Sequence, residues 1–224
     1  MIENKAYKIA KLGDYSYSLI SKGGYKSQLY SSILKSLLLT SAFEDPRTNS
    51  IFFTAETVQT LTEYLSSKNK KMTERECAKL IYNLTSQIKY LEENKYVLYG
   101  YDLDDILVID EDIFIVANSN YILPLNVEND TITFNSPNTK PFFANPELSI
   151  LTKLPSSIHY KSSYYSLGVL VTFCLTNKNI LENGLCLNDI NIETIFRPIY
   201  YSKIYWFLKR CLNKNYDQRV LLFI

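Results

Sequence analysis

A chain of 224 residues with 46% hydrophobic content can bury a core as one domain or two lobes, which excludes intrinsic disorder. Lys and Arg number 24 against 23 Asp and Glu, so a net charge of +1 supplies no global field toward nucleic acid or an anionic membrane. The four cysteines, Cys77, Cys174, Cys186 and Cys211, show no CxxC pairing and three sit in apolar helical patterns, which predicts reduced thiols in an intracellular compartment. No basic-apolar-small leader pattern is seen, and no apolar run is long enough to span a bilayer.

In chain order, residues 7–20 alternate enough to predict short strands around Gly13, followed by a turn at Lys22-Gly23-Gly24. Between Tyr25 and Phe43, the residues Leu29, Ile33, Leu37 and Leu38 recur at helical spacing. Ile51-Phe52-Phe53 reads as a strand and Thr60 to Ser66 as a short helix. Thr73 and Glu76 form a capping-box pattern, and Cys77, Leu80, Ile81, Leu84, Ile88 and Leu91 continue it as one apolar stripe of about five turns. An acidic loop follows, then two apolar runs, Ile106 to Ile109 and Ile113 to Val116, which predict a hairpin around Asp110-Glu111-Asp112. The simplest reading of these acids, with Asp104 and Asp105, is a solvated turn. His159, the sole histidine, has no triad or metal-ligand spacing around it, and the many tyrosines and phenylalanines read as packing residues.

The order from Tyr90 to Asn118, a helix, an acidic loop and a hairpin, resembles the catalytic-loop region of protein kinases. Downstream, Lys140-Pro141-Phe142-Phe143-Ala144-Asn145-Pro146-Glu147-Leu148 resembles the end of a kinase activation segment, PFF-x-APE-L, with Asn145 for Ala. Tyr160 to Leu170 resembles the helix entry KSDVWSLGVIL, and Tyr216-Asp217-Gln218-Arg219 stands for the DP-x-x-R turn. The resemblance covers Ile51 to Arg219 and implies an α+β, protein kinase-like fold. Residues 1–56 would form a reduced N-terminal β-lobe, Glu56-Thr57 the hinge, and residues 57–224 a mostly helical C-terminal lobe. It also implies a structural ion pair between Glu147 and Arg219.

The same resemblance shows the chemistry replaced. Gly13 alone falls where a phosphate-covering loop needs glycine, so a plain hairpin is the better reading there. No Glu occurs between Tyr25 and Ala42 to hold a strand lysine, and Lys22 and Lys26 flank a turn. Aligned without gaps, the His-Arg-Asp of the family falls on Leu98, Tyr99 and Gly100, placing a glycine where the base carboxylate belongs. The metal-binding Asn falls on Asp105, and Asp-Phe-Gly on Asn118, Ser119 and Asn120. A register with two residues deleted would instead make Asp102 the base. Ser163 replaces the Asp that normally holds the loop backbone. Asp105 and Asn118 still offer oxygen ligands, compatible with weak binding of Mg²⁺ or ATP.

These features predict a pseudokinase that works by binding a protein partner, with no nucleic acid and no membrane involved and no required cofactor. The alternatives are an atypical serine/threonine kinase using Asp102 or Asp105, and a structural component of a virus particle that retains the fold. The composition is similar to that of short kinase-like proteins of large nucleocytoplasmic DNA viruses, which would place the protein in host cytoplasm, with virion association as a variant. Neither the partner nor the oligomeric state is legible in the sequence.

Overall fold

The computed structural model describes residues 2–22, 27–37, 42–136, 141–182, 185–186 and 189–223; the expectations for Gly23, Gly24, Tyr25, Lys26, Leu38 and Lys140 fall outside them. Strands β1 (Ile2–Glu3), β2 (Tyr7–Lys11) and β3 (Ser16–Ser21) precede helix α1 (Ser27–Leu37), which leads to β4 (Phe43–Asp45) and β5 (Ser50–Thr54). The five strands form one antiparallel sheet in the order β1-β2-β3-β5-β4. Alternation places Tyr7, Ile9, Leu19, Ile51 and Phe53 in the core, and Tyr17 stacks on its cross-strand partner Phe53 at 5.8 Å. Gly13 occupies the β2–β3 turn, so the hairpin reading of that glycine describes it. The loop of this lobe that enters the inter-lobe space is Asn4-Lys5-Ala6, between β1 and β2, which the sequence pattern did not single out.

The predicted helical span up to Phe43 is too long. Phe43 belongs to β4, pairing with Phe52 and stacking on it at 5.0 Å. Helix α1 buries Leu29, Tyr30 and Ile33 and packs on the large lobe, where buried Gln87 donates to Ser32 Oγ at 3.1 Å. Its sequence carries no Glu, and β3 carries no Lys, so no lysine–glutamate pair links this strand to this helix.

The large lobe begins with β6 (Val58–Thr60) and α2 (Leu61–Ser67), capped by the Thr60–Glu63 box; the predicted Thr60–Ser66 helix is shifted by one residue. Helix α3 (Glu74–Glu93) starts at the Thr73–Glu76 box and buries the whole predicted stripe. Next come β7 (Tyr96–Leu98), β8 (Ile106–Ile109), β9 (Ile113–Val116), β10 (Ile122–Pro124) and β11 (Thr131–Phe134). Strands β6, β8 and β9 make one sheet, and β10 pairs with β7. The chain then forms α4 (Pro146–Ser149), β12 (Ser156–His159) paired with β11, α5 (Ser162–Thr176), α6 (Asp189–Phe196) and α7 (Lys203–Cys211).

Helix α5 is buried on nearly every side, the expected position of a helix apolar all round. Gly168 permits its close approach to α7, since a Cβ there would lie 2.9 Å from Leu212 Cδ2 and 3.0 Å from Cys211 Cβ. Cys77, Cys174 and Cys211 are free and buried. Among the described residues, no helix is long and apolar enough to cross a membrane.

Candidate functional site

A cavity of about 800 Å³ opens between the lobes, walled by Asn4 and Lys5 on one side and by Asp102, Asp104, Asp105, Asn118 and Tyr121 on the other. Its floor is the loop from β7 to β8. Pairing of β7 with β10 fixes one end, and a single 3₁₀ turn, Leu103–Asp105, leads into β8 at the other. The backbone of Asp105 is held from both sides, donating to Asp102 O at 3.1 Å and accepting from Ala117 N–H at 2.8 Å.

This frame brings Asp105 and Asn118 together. Asn118 Nδ2 donates to Asp105 Oδ2 at 2.8 Å, while Asn118 Oδ1 accepts the Asn120 N–H at 2.8 Å. The two bonds together orient the amide, because its oxygen must face an N–H and its nitrogen a carboxylate. Asn4 Nδ2, from the other lobe, donates to Asp105 Oδ1 at 3.1 Å. Burial pushes the Asp105 carboxyl up to about 6; the neighbouring charges of Asp102 and Asp104 add to this, and the bonds from Asn118 and Asn4 oppose it. A shared cation would need the oxygens of both Asp105 and Asn118, but Asn118 presents N–H to Asp105, so the arrangement does not fit a metal held between them. No group of three His, Cys, Asp or Glu able to hold a metal ion occurs among the described residues.

Gly100 and Asp102, the two candidate base positions, both face the end of the segment that follows. A Cβ at Gly100 would lie 2.1 Å from Pro141 Cγ and 2.7 Å from Pro141 Cβ, so proline fills the space a side chain would need. Asp102 Oδ1 accepts the Phe142 N–H at 2.6 Å and Oδ2 accepts the Tyr121 hydroxyl at 2.5 Å. Between them Tyr101 pairs with Phe143 as an antiparallel bridge, with Phe143 N–H donating to Tyr101 O at 2.9 Å. One oxygen of Asp102 therefore fastens the loop to the segment Pro141 to Phe143, and the other holds Tyr121, just before β10.

Ser163 lies fully buried, and its hydroxyl has no hydrogen-bond partner. The loop carbonyl of Tyr99 is instead held by Ser166 Oγ at 3.2 Å and by Asn145 Nδ2 at 3.3 Å. Asn145 also caps α4, accepting the Leu148 N–H at 2.8 Å. The sequence marked Asn145 only as a departure from Ala; its signal was a buried-capable amide at a helix entry.

Glu147 and Arg219 meet: Arg219 Nη2 donates to Glu147 Oε1 at 2.6 Å, and the Arg219 side chain is 1% exposed. The guanidinium also sits 4.9 Å from the Tyr165 ring centroid and donates through Nε to Asn213 O at 2.8 Å. The acidic turn is more than a solvated charge run. Asp110 Oδ1 accepts the N–H groups of Glu56 and Thr57, each at 2.8 Å, tying the inter-lobe link to the β8–β9 hairpin. Glu111 pairs with Lys68 at 3.1 Å, and Asp112 with Lys79. His159 is stacked between Tyr160 and Tyr216, a packing position.

Helix, loop, hairpin and a β-lobe closed over a cleft define a mixed helix–strand protein with a protein kinase-like fold. Two solved structures of twitchin kinase from C. elegans bear this out. One, the kinase region with flanking domains, superposes with a TM-score of 0.57 at 15% identity over 98% of this chain and 45% of that chain. The other, an autoregulated kinase fragment with immunoglobulin domains, gives 0.56 at 15% identity over 99% of this chain and 57% of that chain. In sequence, the chain is 22% identical over 177 residues to serine/threonine-protein kinase tousled-like 1 of human and of mouse. It is also 22% identical over 179 residues to tousled-like 2 of Xenopus tropicalis. These alignments take in 70% of this chain but only 23% to 26% of the relatives, so the chain spans about a quarter of their length. No protein-family model matches. Sequence and structure comparisons together support the protein kinase-like superfamily.

Proposed function

We propose that the protein is a pseudokinase that acts as a protein-binding or regulatory scaffold. Phosphoryl transfer needs a lysine on the phosphates, a glutamate on that lysine, metal ligands and a base for the attacking hydroxyl. The observation that carries the reading is the filled base position: Pro141 packs on Gly100, and the nearest carboxylate, Asp102, is engaged at both oxygens. The strand lysine and helix glutamate are missing from β3 and α1, and Asn118 turns an N–H toward Asp105. Binding of ATP or Mg²⁺ is expected to be weak for the same reasons. The partner is a protein, held on the surface a kinase uses for substrates or regulators, and the buried free thiols favour work in a reducing compartment.

The test is incorporation of radiolabelled phosphate from ATP by purified wild type beside Asp102→Ala and Asp105→Ala. No labelling by any of the three is expected. The rival reading, an atypical serine/threonine kinase, draws on the names of the tousled-like relatives. It would prevail if wild type labelled robustly and Asp102→Ala did not.

A further inference from the structure

Among the described residues, no Lys or Arg side chain forms an ion pair with the buried Asp105 carboxylate. The groups facing it are two neutral carboxamides, one from each lobe: Asn118 at 2.8 Å and Asn4 at 3.1 Å. The Asn4 side chain has all its capacity in use. Its Oδ1 accepts the N–H groups of Ala6 and Tyr7 at 2.8 and 2.9 Å, folding the β1–β2 loop into a tight turn, and its Nδ2 donates to Asp104 O at 3.3 Å as well as to Asp105. The same junction is secured by the Tyr7 hydroxyl, which donates to Asp104 O, and by Lys22 Nζ, which bonds Asn4 O at 2.6 Å and Glu3 at 2.7 Å.

We infer that this junction is a built-in latch: Asn4 closes the small lobe onto Asp105 with the chain's own amide where a ligand would otherwise bridge the lobes. The latch rests on the pseudokinase reading, since it makes closure independent of nucleotide and gives a partner one fixed surface. A hydrogen bond from an amide to a buried carboxylate is charge-assisted and stronger than one between neutral groups. A ligand that uses the Asp105 Oδ1 must first displace Asn4 from it.

The latch can be separated from the turn. Asn4→Asp keeps an oxygen for the Ala6 and Tyr7 N–H groups but sets a carboxylate against Asp105. Asp105→Asn sets an amide N–H against the N–H of Asn4 or Asn118. The double variant exchanges donor and acceptor and restores the bonds of position 105 to positions 4 and 118, giving up only the longer bond from position 4 to Asp104 O. Hydrogen exchange of residues 2–11 and 99–106, without nucleotide, reads the closure. Each single variant should raise exchange in both segments by about tenfold, and the double variant should return it to within about threefold of wild type. Circular dichroism melting of each variant reports whether the fold as a whole survives. Unchanged exchange in Asn4→Asp, or a folded double variant exchanging as fast as the singles, would overturn the latch and leave the pseudokinase reading intact. Phosphate transfer by the wild type would instead overturn the pseudokinase reading, and with it the nucleotide-independent role of the latch, whatever the exchange data show.

Discussion

Two carboxylates of the large lobe, Glu147 and Asp105, have been treated in opposite ways. Glu147 meets a buried guanidinium at 2.6 Å, with an aromatic ring and backbone oxygens completing the shell of Arg219. Asp105 meets two amides, and two further aspartates line the same cavity. Burial, with the nearby charges of Asp102 and Asp104, pushes Asp105 up to about 6, and the amide donors that hold it only partly offset that rise. The fastening that holds the start of α4 to the C-terminal end of the chain is a guanidinium–carboxylate contact. In the cleft, Asp105 is held instead by hydrogen bonds from neutral amides.

Breaking the anchor should have the largest effect. Arg219→Ala leaves Glu147 facing an empty site and removes the contact with Tyr165, so stability should fall by about 3–5 kcal/mol, read as a large drop in melting temperature. If the variant melts with the wild type, the anchor is no stronger than a surface pair and the contrast fails.

The cleft should respond differently. Restoring a carboxylate by Gly100→Asp drives a side chain into Pro141, so the expected outcome is a loss of about 1–3 kcal/mol and no phosphate transfer. Urea denaturation and the labelling assay read the two effects separately. A stable variant that labels substrate would show that Pro141 moves aside freely.

A third carboxylate sharpens the comparison through pH. Glu92, near the end of α3, accepts from the Tyr164 hydroxyl at 3.0 Å while its Oε1 has no partner, and burial pushes it up to about 7. A carboxyl whose folded value is raised favours folding most below its unfolded value near 4.5, and that contribution is lost as pH rises through about 7. Glu92→Gln should therefore stabilise the protein at pH 8, on the order of 1–2 kcal/mol, with the gain disappearing by about pH 5. Thermal melts of both proteins across that range check the sign. An equal difference at both ends would mean that Glu92 does not titrate in the fold.

The smallest effect is expected at the surface. Lys79→Ala removes the exposed pair with Asp112 and should change stability by less than about 0.5 kcal/mol in chemical denaturation, less still in high salt. A larger loss would place the β8–β9 turn among the anchors.

The sequence by itself determined the elements whose signals are local. The stripe from Cys77 to Leu91, the Thr73–Glu76 box and the hairpin around Asp110 rest on periodicity and capping, which neighbouring residues dictate. Motif order was enough to propose Glu147 with Arg219, although 72 residues separate them. Tertiary structure alone decided what fills the cleft. Asn4 and Asp105 are 101 residues apart, Asp102 and Phe142 40 apart, and no local pattern links either pair. The same holds for Asn145, a departure from the family motif in sequence and a support of the Tyr99 carbonyl in space, and for Asp110, a turn residue that also holds the hinge N–H groups. Hydrogen bonds to buried carboxylates depend on which donors folding brings within about 3 Å, and that selection is made by the packing of whole lobes, not by the residues beside each acid in the chain.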